Sequence, residues 1–171
     1  MPQRNRSRRF VRKVLHAMDP IRYFRRLFIS TSTETMTRKF LLIACLSGMF
    51  AVALGAFAAH ILKKVLTDHQ IQIFDTGVRY QFYHTIVLIA VAILGRYVSK
   101  RWAEIAGWLF VSGIALFSGS LYLLALVEFL EMPDLATLAG PITPIGGVLL
   151  IAGWAALFRA CFDYKGRSRP H

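Results

Sequence analysis

Acidic residues are scarce in this sequence: nine Asp and Glu stand against 21 Lys and Arg, a formal net charge of +12. Charge of either sign is missing altogether from four stretches, residues 40–62, 80–95, 105–127 and 135–158. Cysteine is nearly missing too. Cys45 and Cys161 stand alone without a CxxC spacing, which excludes a disulfide framework or a Cys/His zinc site. Walker A, GxSxG and HExxH strings do not occur, so neither a phosphate-binding loop, a serine nucleophile elbow nor a zincin helix is on offer. What fills the 171 residues is apolar: 56% are hydrophobic and the mean hydropathy is +0.49. A one-domain soluble enzyme is not built from such material. The excess base would suggest nucleic acid in a soluble chain. Here it lies outside the apolar runs, which is the pattern of a membrane protein, and no nucleic-acid partner is expected.

A helix rises ~1.5 Å per residue and a bilayer core is ~30 Å thick, so about 20 residues span it. Three of the uncharged stretches meet that length. The second, residues 80–95, is short, but Arg79 and Arg96 can snorkel and Tyr80, Tyr83 and Tyr97 are interfacial residue types. Four spans are therefore expected, packed as an all-α bundle. With both ends in the cytoplasm, cytoplasmic segments carry eighteen Lys and Arg and outer ones three, and the reverse topology inverts that ratio. The positive-inside rule selects the first arrangement.

Residues 1–35 are of different composition, with nine Lys and Arg ahead of a Ser/Thr cluster at 30–33. The expectation is a disordered basic extension. A short amphipathic helix on anionic lipid, with Phe10, Val14 and Met18 on one face and Pro20 at its end, is the alternative, and an organelle leader the weakest reading. Met36-Thr-Arg-Lys-Phe-Leu-Leu is itself a natural opening for the first span, so residues 1–35 are also consistent with a mis-assigned start. Ala56-Phe57-Ala58 mimics a signal-peptidase site, but the apolar run is too long for a signal peptide. The domain reading is thus 1–35 extension, 36–160 membrane domain and 161–171 basic cytoplasmic tail.

Ala51, Gly55 and Ala59 repeat every four residues, as do Ala44 with Gly48 and Ala115 with Gly119, and each pair invites close helix packing. Thr67 and Gln70 have the spacing of a capping box. Ile71, Phe74 and Val78 then recur at helical spacing, with Asp75 and Arg79 as an i,i+4 pair, so an amphipathic interfacial helix is expected between spans one and two, running into span two with a bend at Gly77.

Four strings carry a resemblance: Gly55-Ala-Phe-Ala-Ala-His60, Phe74-Asp-Thr-Gly-Val-Arg-Tyr-Gln-Phe-Tyr-His84, Phe117-Ser-Gly-Ser-Leu-Tyr122 and Gly140-Pro-Ile-Thr-Pro-Ile-Gly-Gly147. In order and spacing the chain from about 36 to 158 resembles the domain of unknown function 423 family, also called uncharacterised protein family 0382, to which eukaryotic transmembrane protein 256 is similar. Ala58 stands where that family's motif has glycine. The resemblance implies a four-span bacterial inner-membrane protein, and it supplies no catalytic residue.

The same strings hold the polar residues of the spans. His60, Arg79, Gln81, His84, Ser118, Ser120, Tyr122 and Thr143 all fall in the outer half of the expected bundle, and the cost of unpaired polar groups in lipid requires them to meet. Pro141 and Pro144 would release backbone carbonyls toward that cluster. As a candidate site it is a polar pocket open to the outer face. The blander reading, which is favoured, is interhelical hydrogen bonding and interfacial anchoring. Three functions follow: a non-enzymatic protein that assembles with itself, with lipid or with a membrane partner; a solute or proton transport module using His84 and Arg79; and, least supported, a haem or metal protein with His60 and His84 as ligands. No catalytic residue, metal ligand or cofactor is assigned.

Overall fold

The computed structural model describes residues 20–164 of the chain, so the expected amphipathic segment around Phe10, Val14 and Met18, and most of the basic C-terminal tail, lie outside the described residues. Four α-helices follow one another: α1 (Pro20–His60), α2 (Asp68–Leu94), α3 (Lys100–Leu126) and α4 (Pro133–Cys161), with a 3₁₀ turn at Leu62–Lys64 between the first two. All four are long and apolar enough to cross a membrane. The described residues contain no strand.

Two compact units divide between Thr35 and Met36. In the first, residues 20–35 are helical. Pro20 opens the helix, where its fixed φ and missing N–H cost nothing.

The second unit begins at Met36 and contains the bundle. Its helices alternate in direction and interlock through glycine. Phe40 of α1 lies over Gly107 of α3, where an added Cβ would run into the ring. Phe110 of α3 lies on Gly153 of α4, Leu150 of α4 on Gly113 of α3, and Tyr122 of α3 on Gly77 of α2. At Gly146 the neighbour is backbone: a Cβ there would stand 2.7 Å from Phe117 Cα. Lipid tails are as apolar as leucine, so helices in a bilayer gain their affinity from such close contact rather than from leaving water.

Two apolar clusters result. One, toward the Met36 end, gathers Phe40, Ala44, Leu88, Val91, Phe110 and Leu150. The other, toward the His60 end, gathers Ala58, Leu62, Leu66, Phe74 and Ala125.

The second span is longer than its uncharged stretch. Thr67 caps Asp68–Leu94 with the expected box: its hydroxyl accepts from the Gln70 N–H, and Gln70 Oε1 accepts from the Thr67 N–H at 2.8 Å. The remaining Gln70 amide donates to Glu128 Oε2 at 2.7 Å, tying this cap to the turn after α3. That turn closes with Glu131 at φ 53°, while Met132 N–H reaches Val127 O and Glu131 N–H reaches Glu128 O. This is the Schellman pattern, with glutamate where glycine is usual.

The amphipathic helix expected between spans one and two is therefore the N-terminal end of α2, continuous with it. Its Phe74 is buried in the second cluster, with Ile71 and Val78 packed against that cluster. The helix runs unbroken through Gly77, which seats the Tyr122 ring. Among the described residues Asp75 and Arg79 form no ion pair.

On α1 the buried face is Ala44, Ala51 and Ala58, whereas Ala59 is exposed, because at 100° per residue 51→55→58 tracks one face better than 51→55→59. On α3, Ala115 is exposed and a Cβ on Gly119 would meet nothing within 4 Å, so that pair faces away from the bundle. Gly107 and Gly113 do the packing instead.

The contrast is measurable. Gly146→Ala should lower bundle stability by about 3 kcal/mol, the upper range for overpacking, because the Phe117 backbone cannot rotate aside. Gly119→Ala should be neutral or raise stability by up to about 1 kcal/mol through helix propensity. Reversible unfolding in detergent micelles followed by circular dichroism separates the two, and equal effects would contradict the packing described.

Candidate functional site

Between the two apolar clusters the spans carry a level of polar side chains. Gln81 is its centre. Its Nε2 donates to the Ser47 carbonyl of α1 at 2.9 Å, and its Oε1 accepts from the Tyr122 hydroxyl of α3 at 2.7 Å. Thr85 donates to the Gln81 carbonyl at 2.7 Å and lies 2.7 Å from the Ser47 hydroxyl, so α1, α2 and α3 are joined at one height. A second link joins α3 to α4: the Ser120 and Thr143 hydroxyls are 2.7 Å apart, with Ser120 also reaching Phe117 O and Thr143 reaching Ala139 O. Near it the Ser118 hydroxyl, 1% exposed, has no hydrogen-bond partner.

His84 belongs to neither link. Its Nδ1 lies 2.8 Å from the Tyr80 carbonyl one turn back. Since a carbonyl can only accept, Nδ1 carries the proton, and in the neutral ring Nε2 is an acceptor. Aromatic rings surround it: Tyr80, Phe110 and Trp154 have centroids 5.9, 5.8 and 6.4 Å away. The imidazole lines a cavity of about 520 Å³ between α2, α3 and α4, whose other walls include Tyr80, Tyr83, Phe117, Gly147 and Trp154.

The eight sequence candidates thus separate. Gln81, Tyr122, Ser120 and Thr143 take part in interhelical hydrogen bonds, Ser118 is buried beside them, and His84 faces an aromatic cavity. Arg79 and His60 do not join: both are exposed, and among the described residues neither side chain makes a hydrogen bond or ion pair. Arg79 follows Gly77 and precedes Gln81, both buried, by two residues each, which turns it about 200° away from the packed face. Its long stem lets the guanidinium reach the interface.

Ser47 and Thr85 were not among the candidates although both are in the network. Ser47 lies in an otherwise apolar span, and that isolation is the signal that marks it. Trp154, in the middle of α4 rather than at an interface, is the corresponding signal for the cavity. Pro141 and Pro144 lie inside a continuous α4, and Thr143 between them bonds the Ala139 carbonyl. Cys45 and Cys161 are free and exposed. Among the described residues no three His, Cys, Asp or Glu side chains converge as metal ligands.

Four apolar helices tied by internal hydrogen bonds define a multi-pass integral membrane protein. Residues 54–147 match the family model described as Protein of unknown function (DUF423). UPF0382 membrane protein SAB0533 of Staphylococcus aureus is 38% identical over 129 residues, 74% of this chain and 98% of the relative. A UPF0382 membrane protein of Haemophilus influenzae is 42% identical over 130 residues, 76% of this chain and 98% of its own. UPF0382 inner membrane protein YgdD of Escherichia coli K12 is 36% identical over 137 residues, 80% of this chain and 99% of its own. The chain belongs to this family, DUF423 or UPF0382. No solved structure matches it.

If the Gln81–Tyr122 bond is an ordinary interhelical one, Tyr122→Phe should cost about 0.6–1.7 kcal/mol. In a double-mutant cycle with Gln81→Leu, the coupling should account for most of that loss. Unfolding of the four variants in mixed micelles tests it; additive effects would show that the bond contributes no stability.

Proposed function

We propose that this is a non-catalytic protein of the bacterial inner membrane, with both termini in the cytoplasm, that works by assembling in the bilayer with further copies of itself or with another membrane protein. The observation that carries the reading is the outward face of α3. Ser112 and Ala115 are exposed and Gly119 has open space beside it, so small residues at i, i+3 and i+7 form a shallow seam with no counterpart among the described residues. Small residues that fill no internal need allow a second helix to approach closely.

The polar groups of the spans support the same reading. Gln81, Tyr122, Ser47, Thr85, Ser120 and Thr143 are engaged with one another and so do not line a water-filled path, as a transport module would need. The skew of eighteen Lys and Arg against three supports cytoplasmic termini, and the basic ends suit anionic headgroups on that face. The Escherichia coli relative is called an inner membrane protein, which supports that location.

Two measurements test this. In a chain carrying Cys45→Ala and Cys161→Ala, Ala115→Cys should form an oxidative dimer in native membranes, and adding Gly119→Leu should reduce that dimer at least fivefold while the bundle stays folded. Monomer alone, with no partner recovered by a membrane-soluble crosslinker, would sink the assembly reading. In the same background, Leu130→Cys should react with an impermeant maleimide on cells with a permeabilised outer membrane; labelling only after the inner membrane is opened would invert the topology.

A further inference from the structure

The cavity beside His84 has three properties that together specify an occupant. The first is its opening. Tyr83, Ile151 and Trp154 line it and are 57%, 70% and 50% exposed, at the middle of α2 and α4 rather than at their ends. In a spanning bundle those positions meet lipid, so what enters comes sideways from the bilayer.

The second property is the walls. Tyr80, Tyr83, Phe117 and Trp154 present rings, with Val87, Leu150 and Ile151 between them and no charged side chain in the lining. An ion has no counter-charge there. A flat ring finds faces and edges to stack on at centroid separations of about 4.5–7 Å. The volume, about 520 Å³, is within the range of small-molecule sites.

The third property is the imidazole. His84 is only 8% exposed, its Nδ1 is occupied by the Tyr80 carbonyl, and among the described residues Nε2 has no hydrogen-bond partner. An acceptor left unpaired on the wall of a cavity that opens to lipid is costly in a medium without water, and a hydroxyl donor satisfies it. Phe110, wedged between Gly153 and the imidazole, holds the ring in place.

The geometry points to a binding site for a lipid-soluble aromatic alcohol, a phenol or hydroquinone whose ring stacks among Tyr80, Phe117 and Trp154 and whose hydroxyl donates to His84 Nε2. The ring makes use of the aromatic walls, the hydroxyl answers the unpaired acceptor, and the bilayer supplies the route. Neither the assembly seam on α3 nor the hydrogen bonds at Gln81 take part, so the site stands apart from the function proposed above.

The full chain in nanodiscs, titrated anaerobically with decylhydroquinone and separately with decylphenol, should bind one molecule per chain above the background of protein-free nanodiscs. Binding of either supports the proposal, and their ratio names the source. His84→Phe, which keeps an aromatic ring but removes the acceptor, should weaken binding about tenfold, the loss expected for one buried hydrogen bond. Ile151→Trp, at an exposed rim position that leaves the core untouched, should weaken it at least as much by filling the mouth. The di-O-methyl ether, which has no donor, and dodecanol, which has no ring, should each bind at least tenfold more weakly than decylhydroquinone. Absence of saturable binding, equal binding by either control compound, or affinity unchanged by Ile151→Trp would overturn the assignment.

Discussion

A helix in lipid gains little by hiding apolar side chains from its surroundings, because those surroundings are apolar already. Everything in this bundle follows from that constraint. Contact has to be close to be worth having, and glycine is where closeness is obtained. Phe40 on Gly107, Phe110 on Gly153, Leu150 on Gly113 and Tyr122 on Gly77 are the same solution repeated between different helix pairs. Each brings a bulky group onto a neighbouring backbone, and the Gly146–Phe117 approach brings two backbones together. These seats also set the register, since sliding any helix by one turn would put side chains where glycine must be.

Once the backbones are close, the polar level can form. The bonds from Gln81 to Ser47 and Tyr122 need α1, α2 and α3 within a few ångströms at one height, and Ser120 reaches Thr143 because Gly146 admits the α3 backbone one turn away. Individually such bonds are modest in a membrane, about 0.6 kcal/mol on average. Their larger effect is to make wrong pairings expensive. The cavity beside His84 is the complement of this packing: it exists where Gly147, close to the Phe117 ring, leaves room that no side chain of the described residues occupies.

Much of the fold was legible in the sequence, and the limits of that legibility are physical. Uncharged runs mark spans because burying charge in hydrocarbon is costly, and the capping box at Thr67 marks where a helix begins because its geometry is local. The second helix outruns its uncharged stretch since absence of charge is a stricter test than helix continuity: Asp75 and Arg79 ride on the N-terminal half of α2, where their side chains are not in the packed face. Neither the burial of Ala58 rather than Ala59 nor the outward turn of Ala115 and Gly119 is written in the repeat itself. A four-residue repeat shows that a face is small but not which neighbour it meets. Gln81 bonds Tyr122 and Ser120 bonds Thr143 because polar groups in lipid have few alternatives to each other. The same rule does not separate His84 from them. Residues three apart on a helix point 60° from each other, and only the placement of α4 decides that this angle carries His84 into a different compartment.

The composition of α2 has a consequence for how the chain reaches the membrane at all. Asp75, Arg79, Gln81, His84 and Thr85 make it a poor substrate for the insertion machinery, which charges about 2.5–3.5 kcal/mol for an acidic or basic residue near the centre of a nascent segment. The Gln81 amide is satisfied only by α1 and α3, Thr85 takes its second partner, Ser47, from α1, and the cap at Gln70 is completed only by Glu128, beyond the end of α3. During synthesis the second segment therefore has its full set of partners only after the ribosome has delivered the third, which favours entry of the two into the lipid as a hairpin beside a first helix already waiting there.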